Sequence, residues 1–463
     1  MKKTITILLA ALLLISLCVS CNNGSIVDDA FNCTVTFDGN GADTAEQMQQ
    51  RVSKGVGISL KGNTFIKDGF CFLWWNTEAD GSGKSYFNGQ HICFDEDLTL
   101  YAQWGILISE DTTALTDGNR YTLNRSVEVA ERLTVTGNVT LILPDGYRLT
   151  AQKGISVNEG NSLTIDSLGI GTGELAAIAS DDNTFDAAIG GEEGFSSGLI
   201  TIYGGNVTAT YEGSFGAAIG GGRNGSGTVT IYGGNVTVTN KSRFGAAIGG
   251  GDNGNGTVTI YDGNVNVYSD GHAAAIGGGA GKDGTVTING GNVTATSTEF
   301  GAAIGGGGEG NGTVTINGGN VTATSTEFGA AIGGGDEGNG TVTINGGTVT
   351  AIGEFDGPGI GCGYDGSGGS LTINGGKVFA SGRDYGAGIG GAYTGSGIDV
   401  TINGGQVLAI GGEDEAAGIG RGRSGANDGT LTLGEGVALE VSSDNENWSD
   451  YDGTTRQKYM RTK

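Results

Sequence analysis

The chain reads as all-β: a small N-terminal β module followed by a long parallel β-helix with three strands per coil. Three observations carry this reading. The first is a period. Residues 185–433 repeat one unit, seen at 313–316 (T-V-T-I), 320–324 (N-V-T-A-T) and 330–333 (A-A-I-G). Isoleucines of the third run fall at Ile189, Ile219, Ile248, Ile276, Ile304, Ile332, Ile360, Ile389 and Ile419, spaced by 28 to 30 residues. So constant a period means one supersecondary unit stacked on copies of itself. The second is alternation: Val, Ile and Thr recur with period two, in runs too short for a helix. The third is composition. With 95 glycines, only 2 prolines and a repeat of about 28 residues, the chain is not collagen, whose period is three.

Within one coil, Val314 and Ile316 are expected to point inward and Thr313 and Thr315 outward. Columns of like residues should form ladders. Tyr203, Tyr232 and Tyr261 give an aromatic stack, followed in the same column by Asn289, Asn317, Asn345, Asn374 and Asn403. Four residues before the third-run isoleucine stand Phe185, Phe215, Phe244, His272, Phe300, Phe328 and Tyr385. His272 therefore reads as a wall residue of an aromatic column rather than a catalytic base.

In chain order, residues 1–21 read as a signal segment: Lys2 and Lys3, an apolar run over 5–19, then Ser20-Cys21. The run is too short for a comfortable membrane span. Its end resembles a bacterial lipobox, which implies that Cys21 becomes the lipidated N-terminus, the one site residue expected. Residues 22–32 form a polar tether. Residues 33–104 form a separate module, opening T-V-T-F-D-G-N-G at 34–41, continuing W-N-T-E-A-D-G-S-G at 75–83 and closing L-T-L-Y-A-Q-W at 98–104. These motifs resemble the internalin B-repeat, also called the Listeria–Bacteroides repeat. The resemblance implies a small β-grasp-like fold and a place on a bacterial surface protein. Trp75 and Trp104 are expected in its core. Trp74 stands where that pattern has glycine and is expected to be exposed, a candidate for sugar stacking. Cys33, Cys71 and Cys93 allow one disulfide with no pair preferred. Cys362, replacing a repeat glycine, is expected to be a buried free thiol.

Residues 105–180 hold short β runs that are not yet in register, expected as irregular first coils and the N-terminal cap. Nine coils fill 181–440, and 441–463 should cap the far end.

Chemistry is sparse. Glu193, Asp252, Glu309, Asp336 and Glu337 fall in glycine-rich turns, more as solvated loops than as a carboxylate pair. Runs such as 250–256 faintly resemble calcium-binding nonapeptide repeats but lack their nine-residue period, so no cofactor is expected, with calcium as the alternative. A net charge of −26 disfavours nucleic acid, and membrane contact is expected only through the N-terminal lipid. The glycine-rich solenoid resembles pectin-lyase-like β-helices and the repeats of large bacterial surface proteins. Near-identity of 284–311 and 312–339 favours a cell-surface binding or adhesion protein, contacting carbohydrate or a protein on another surface. A β-helix polysaccharide lyase or hydrolase, in which changing His272 or Arg421 would abolish turnover, is the alternative.

Overall fold

A computed structural model describes residues 33–44, 47–180, 185–413, 415–453 and 457–463. The signal segment, the tether and Cys21 lie outside the described residues. Two compact units divide after Leu107.

The first unit is a mixed sheet. Cys33–Asp38 pairs antiparallel with Met48–Val52 and parallel with Leu98–Leu107. Leu98–Leu107 in turn pairs antiparallel with Phe70–Asn76, whose far edge takes Ser85–Tyr86. Alternation puts Val35, Phe37, Trp75, Leu100 and Ala102 in the core at 0% exposure. Trp75 and Trp104 do not pair directly. Phe72 packs on both, at 4.8 and 6.0 Å between ring centroids. The 75–83 motif is organised by the Asn76 carboxamide. It donates to the carbonyls of Gly81 and Gly83 and accepts from the amides of Glu78 and Gly83, folding the loop back on its own strand. A register shift between Phe72 and Trp74 buries the intervening Leu73 and leaves Trp74 half-buried, which corrects the expectation of an exposed tryptophan. Cys33 and Cys71 are free thiols, so among the described residues no disulfide joins Cys33, Cys71 and Cys93.

The second unit is a three-walled parallel solenoid. Each coil runs through a first wall (Gly312–Ile316), a second (Asn320–Ser325) and a short third (Ile332–Gly333) before re-entering the first at Gly340–Ile344. Identical positions pair from coil to coil: Ile288, Ile316 and Ile344 on the first wall, Val293 and Val321 on the second, Ile304 and Ile332 on the third. Val314 and Ile316 are 1% and 0% exposed, whereas Thr313 and Thr315 face out, as the alternation requires. Among the described residues the third wall counts twelve strands. Eleven steps of ~4.8 Å make it roughly 53 Å long.

Residues 105–180 are more than a cap. Tyr121, Leu141, Ile165 and Ile202 pair in one first-wall ladder, at steps of 20, 24 and 37 residues. These coils are in full register with the later ones, and only their turns differ in length. At the other end, Tyr459–Thr462 pairs antiparallel with Gln406–Ile410 and with Leu439–Ser442, covering the open edge of the second wall. Arg461 pins this strand, with Glu440 at 3.0 Å and the Trp448 ring 3.8 Å from its guanidinium carbon.

Glycine fills one column of the regular coils. From Ile189 to Ile419, each third-wall isoleucine is followed by a glycine with φ between 138° and 149°, whereas Ser156 follows Ile155 in the irregular coils. At Gly190 through Gly390 a Cβ would strike the carbonyl oxygen of the same glycine one coil on, as Gly333 against Gly361.

Candidate functional site

Two surfaces of the solenoid carry polar or aromatic side chains in order. The first is the pair of threonine walls. Thr228/Thr230, Thr257/Thr259, Thr285/Thr287, Thr313/Thr315 and Thr341/Thr343 stack in register on the first wall, all facing out. The second wall repeats this with Thr294/Thr296 and Thr322/Thr324. Strand geometry sets the hydroxyl array at ~4.8 Å between coils and roughly 6.8 Å along each strand. Asparagine ladders edge both walls. Each amide donates to the side-chain oxygen of its predecessor, 2.7–2.8 Å apart from Asn289 to Asn403. A second ladder, Asn206, Asn235, Asn264, Asn292 and Asn320, runs at 2.8–2.9 Å and was not singled out from the repeat. The tyrosines stack as expected, with 4.6 Å between rings tilted by 5° and 3°.

The second surface lies along the two turns that flank the third wall. One turn carries the aromatic column, four residues before each isoleucine. The other carries a column four residues after it: Glu193, Arg223, Asp252, Ala280, Gly308, Asp336, Tyr364, Tyr393 and Arg423. A repeated hydrogen bond zips the two together. The amides of Arg223, Asp252, Asp336, Tyr364 and Tyr393 donate to the carbonyls of Phe185, Phe215, Phe300, Phe328 and Asp356, one coil earlier. Backbone geometry is constant along this double column, and the side chains are not.

At the N-terminal end the double column contains its own cation. The Arg223 guanidinium lies over Phe215 (4.5 Å) and Phe185 (5.1 Å), with Glu193 at 3.5 Å and Asp252 at 3.9 Å. In the middle, His272 packs between Phe244 (5.3 Å) and Phe300 (4.4 Å), and its Nε2 is 3.3 Å from Glu299. Burial lowers its pKa, and Glu299 opposes that fall. The wall position expected for His272 is the one observed. Arg421 lies five coils on, roughly 24 Å along the stack at ~4.8 Å per coil, and its Nε is 3.4 Å from Asp428. The two residues that an enzyme reading would join are therefore not brought together.

Toward the C-terminal end the column breaks its own pattern. Asp356 replaces the aromatic residue and is 7% exposed. Along the same double column the rings touch one another in an unbroken chain: Phe328–Tyr364 (5.6 Å), Tyr364–Tyr393 (6.1 Å), Tyr393–Tyr385 (5.3 Å) and Tyr385–Phe355 (5.9 Å). Burial, then Asp384 and Glu327, push the Asp356 carboxyl up to about 6. Asp336, one coil back on the other turn, is pushed to about 6 by burial and by Glu337 and Asp365. Cys362 belongs to the same coil, fully buried, its thiol 3.1 Å from the Ser396 carbonyl. Burial raises it to about 11. Averaging over the repeats hides this coil. The usable signal was departure from the repeat, at Phe355, Asp356, Pro358, Cys362 and Tyr364 together.

The acidic turn residues divide between this column (Glu193, Asp252, Asp336) and its outer neighbour, where Glu309 and Glu337 adopt φ of 64° and 57°. Among the described residues no group of three or more His, Cys, Asp or Glu side chains is arranged to hold a metal ion.

The comparisons with known proteins agree with this architecture. Residues 34–103 match the Listeria–Bacteroides repeat domain. Eight stretches match the β-helix repeat: 200–223, 229–252, 258–280, 286–308, 314–336, 342–364, 371–393 and 400–420. A Gly-rich protein of Evansella cellulosilytica, whose name assigns it to a membrane, is 39% identical over 75 residues, 16% of this chain and 9% of that protein. A second protein of that organism, also assigned by name to a membrane, is 37% identical over 76 residues, 16% of this chain and 11% of its own. The chain thus spans about a tenth of the length of the relatives it matches. No solved structure matches it.

Proposed function

We propose that this chain, a Listeria–Bacteroides repeat domain followed by a β-helix repeat solenoid, is a surface-attached binding protein that holds carbohydrate along its threonine walls. The observation that carries the reading is the register. Outward threonine pairs occupy the same two positions in five successive first-wall strands, an array that only a ligand with its own repeat can use fully. Hydroxyl arrays exchange hydrogen bonds with sugar hydroxyls at little electrostatic cost, and many weak contacts add through multivalency. The N-terminal half of the proposal is attachment: Cys21 carries a lipid that holds the chain at the envelope. Two relatives assigned by name to a membrane support a place at the envelope. A glycan array probed with the chain from Cys21 onward tests the reading. Retention of a polysaccharide series, stronger for longer chains, is the expected result. Equal retention of monosaccharides and polymers, or none of either, would contradict it.

A further inference from the structure

The outward face of the second wall changes its chemistry over the last coils. One outward column runs Thr322, Thr350, Phe379 and Leu408, paired from strand to strand, and the antiparallel strand Tyr459–Thr462 sets Arg461 opposite Leu408. The column beside it runs Asn320, Thr348, Lys377 and Gln406. Two threonine positions thus become half-buried apolar side chains, and a ladder asparagine gives way to a lysine. The Thr462 hydroxyl accepts from the Val407 amide at 3.0 Å and donates to the Gly405 carbonyl at 3.3 Å, which fixes the end of the added strand against this face. The result is a cavity of about 330 Å³, with Phe379 and Leu408 in its lining and Lys377, Arg461 and Lys463 as its charged groups. Among the described residues no aspartate or glutamate lines it. Three cations and no anion run against a chain of 50 acidic and 24 basic residues. Two of the three are committed, Arg461 to Glu440 at 3.0 Å and Lys463 to Asp450. Lys377 is exposed and has no hydrogen bond or ion pair among the described residues.

We propose that this cavity binds a small aromatic carboxylate, with its ring on Phe379 and Leu408 and its carboxylate on the Lys377 ammonium. The volume lies at the small end of ligand cavities and suits a compact ring system. A ring gains more here than an alkyl group, because it can stack on Phe379 or meet its edge as well as bury area. A carboxylate gains a charge-assisted hydrogen bond from the one cation that lacks a partner. Glu440 and Asp450 lie outside the lining, so no like charge faces the bound anion. A neutral sugar would meet apolar side chains where the earlier coils offer threonine hydroxyls, so the cavity and the threonine array select different ligands. The first-wall rows take no part in this site, and its failure leaves the carbohydrate reading standing.

Calorimetric titration of the chain from Cys21 onward with sodium 2-naphthoate, followed in parallel by the fluorescence anisotropy of the ligand, tests the proposal. Wild type should bind saturably at one site. Lys377→Thr and Phe379→Thr each introduce the residue that the preceding coil carries, Thr348 and Thr350, so both should melt as wild type. Each should bind at least tenfold more weakly. The neutral 2-naphthamide, with the same rings and no charge, should also bind wild type at least tenfold more weakly. Glucuronate, which carries the charge without the aromatic ring, should not compete. Four outcomes would overturn the proposal: no saturable binding of 2-naphthoate, wild-type affinity in either variant, equal affinity for the amide, or displacement by equimolar glucuronate.

Discussion

Gly333→Ala should be among the most damaging single-methyl additions in the solenoid. Gly333 sits at φ 138°, outside the range L-residues adopt readily. An added Cβ would meet the Gly361 carbonyl oxygen far inside van der Waals contact. That oxygen accepts from the Gly334 amide at 3.0 Å, so relieving the clash moves a carbonyl used in the coil-to-coil ladder. Backbone strain of about 1–3 kcal/mol adds to about 1–3 kcal/mol for a disturbed buried hydrogen bond, giving roughly 2–6 kcal/mol. Gly281→Ala is the control. Its φ is 71° and nothing lies within 4 Å of the added methyl. The equivalent turn position holds Asn253, Glu309 and Glu337 in neighbouring coils, all at positive φ. Left-handed strain alone should cost about 1–2 kcal/mol there. Urea unfolding followed by circular dichroism compares the two. Equal midpoints would refute the close-approach argument and leave only the φ requirement.

Three further outcomes are expected. Ile316→Asp puts a charge at a position with 0% exposure and should cost several kcal/mol, whereas Thr315→Asp, facing out one residue away, should cost about 1 kcal/mol or less; thermal melts that coincide would contradict the assigned alternation. Asp336 and Asp356 have folded pKa values raised to about 6 from 3.8, so the folded state binds more protons in between; stability should rise as pH falls from above 6 toward 4, and Asp356→Asn should remove about 1–3 kcal/mol of that rise, checked by melting temperature against pH. Labelled palmitate should enter the wild-type protein expressed in a bacterium and not Cys21→Ala, and equal labelling would dispose of the lipid anchor.

Much of the solenoid was legible because each coil places the same residue on the same neighbour. Ile316 pairs with Ile288 and Ile344, and Asn317 donates to Asn289, so a column in the sequence is a ladder in space. The 105–180 coils were harder to read for a physical reason. Register is set by strand pairing, whereas turn length is free, and steps of 20, 24 and 37 residues erase the period without disturbing the ladder from Tyr121 to Ile202. Leu73 shows a second limit: one inserted residue in a strand changes which neighbour is buried, and only the pairing partner reveals it. The Asp356 patch was missed because repeat reasoning rewards sameness. The carboxyl gains its character from burial and from Asp384 and Glu327, which sequence distance separates from it by about one coil each.

The most direct test of the central claim removes one full coil. Deleting residues 312–339 takes out one strand from each wall and rejoins Gly340 to the position Gly312 held, so the register survives. With a polysaccharide retained on the array, the affinity of the shortened chain should fall modestly, in step with the threonine rows lost, while His272→Phe binds as wild type. Complete loss of binding on deletion, or turnover of the polysaccharide abolished by His272→Phe, would contradict a ligand held along a repeated wall.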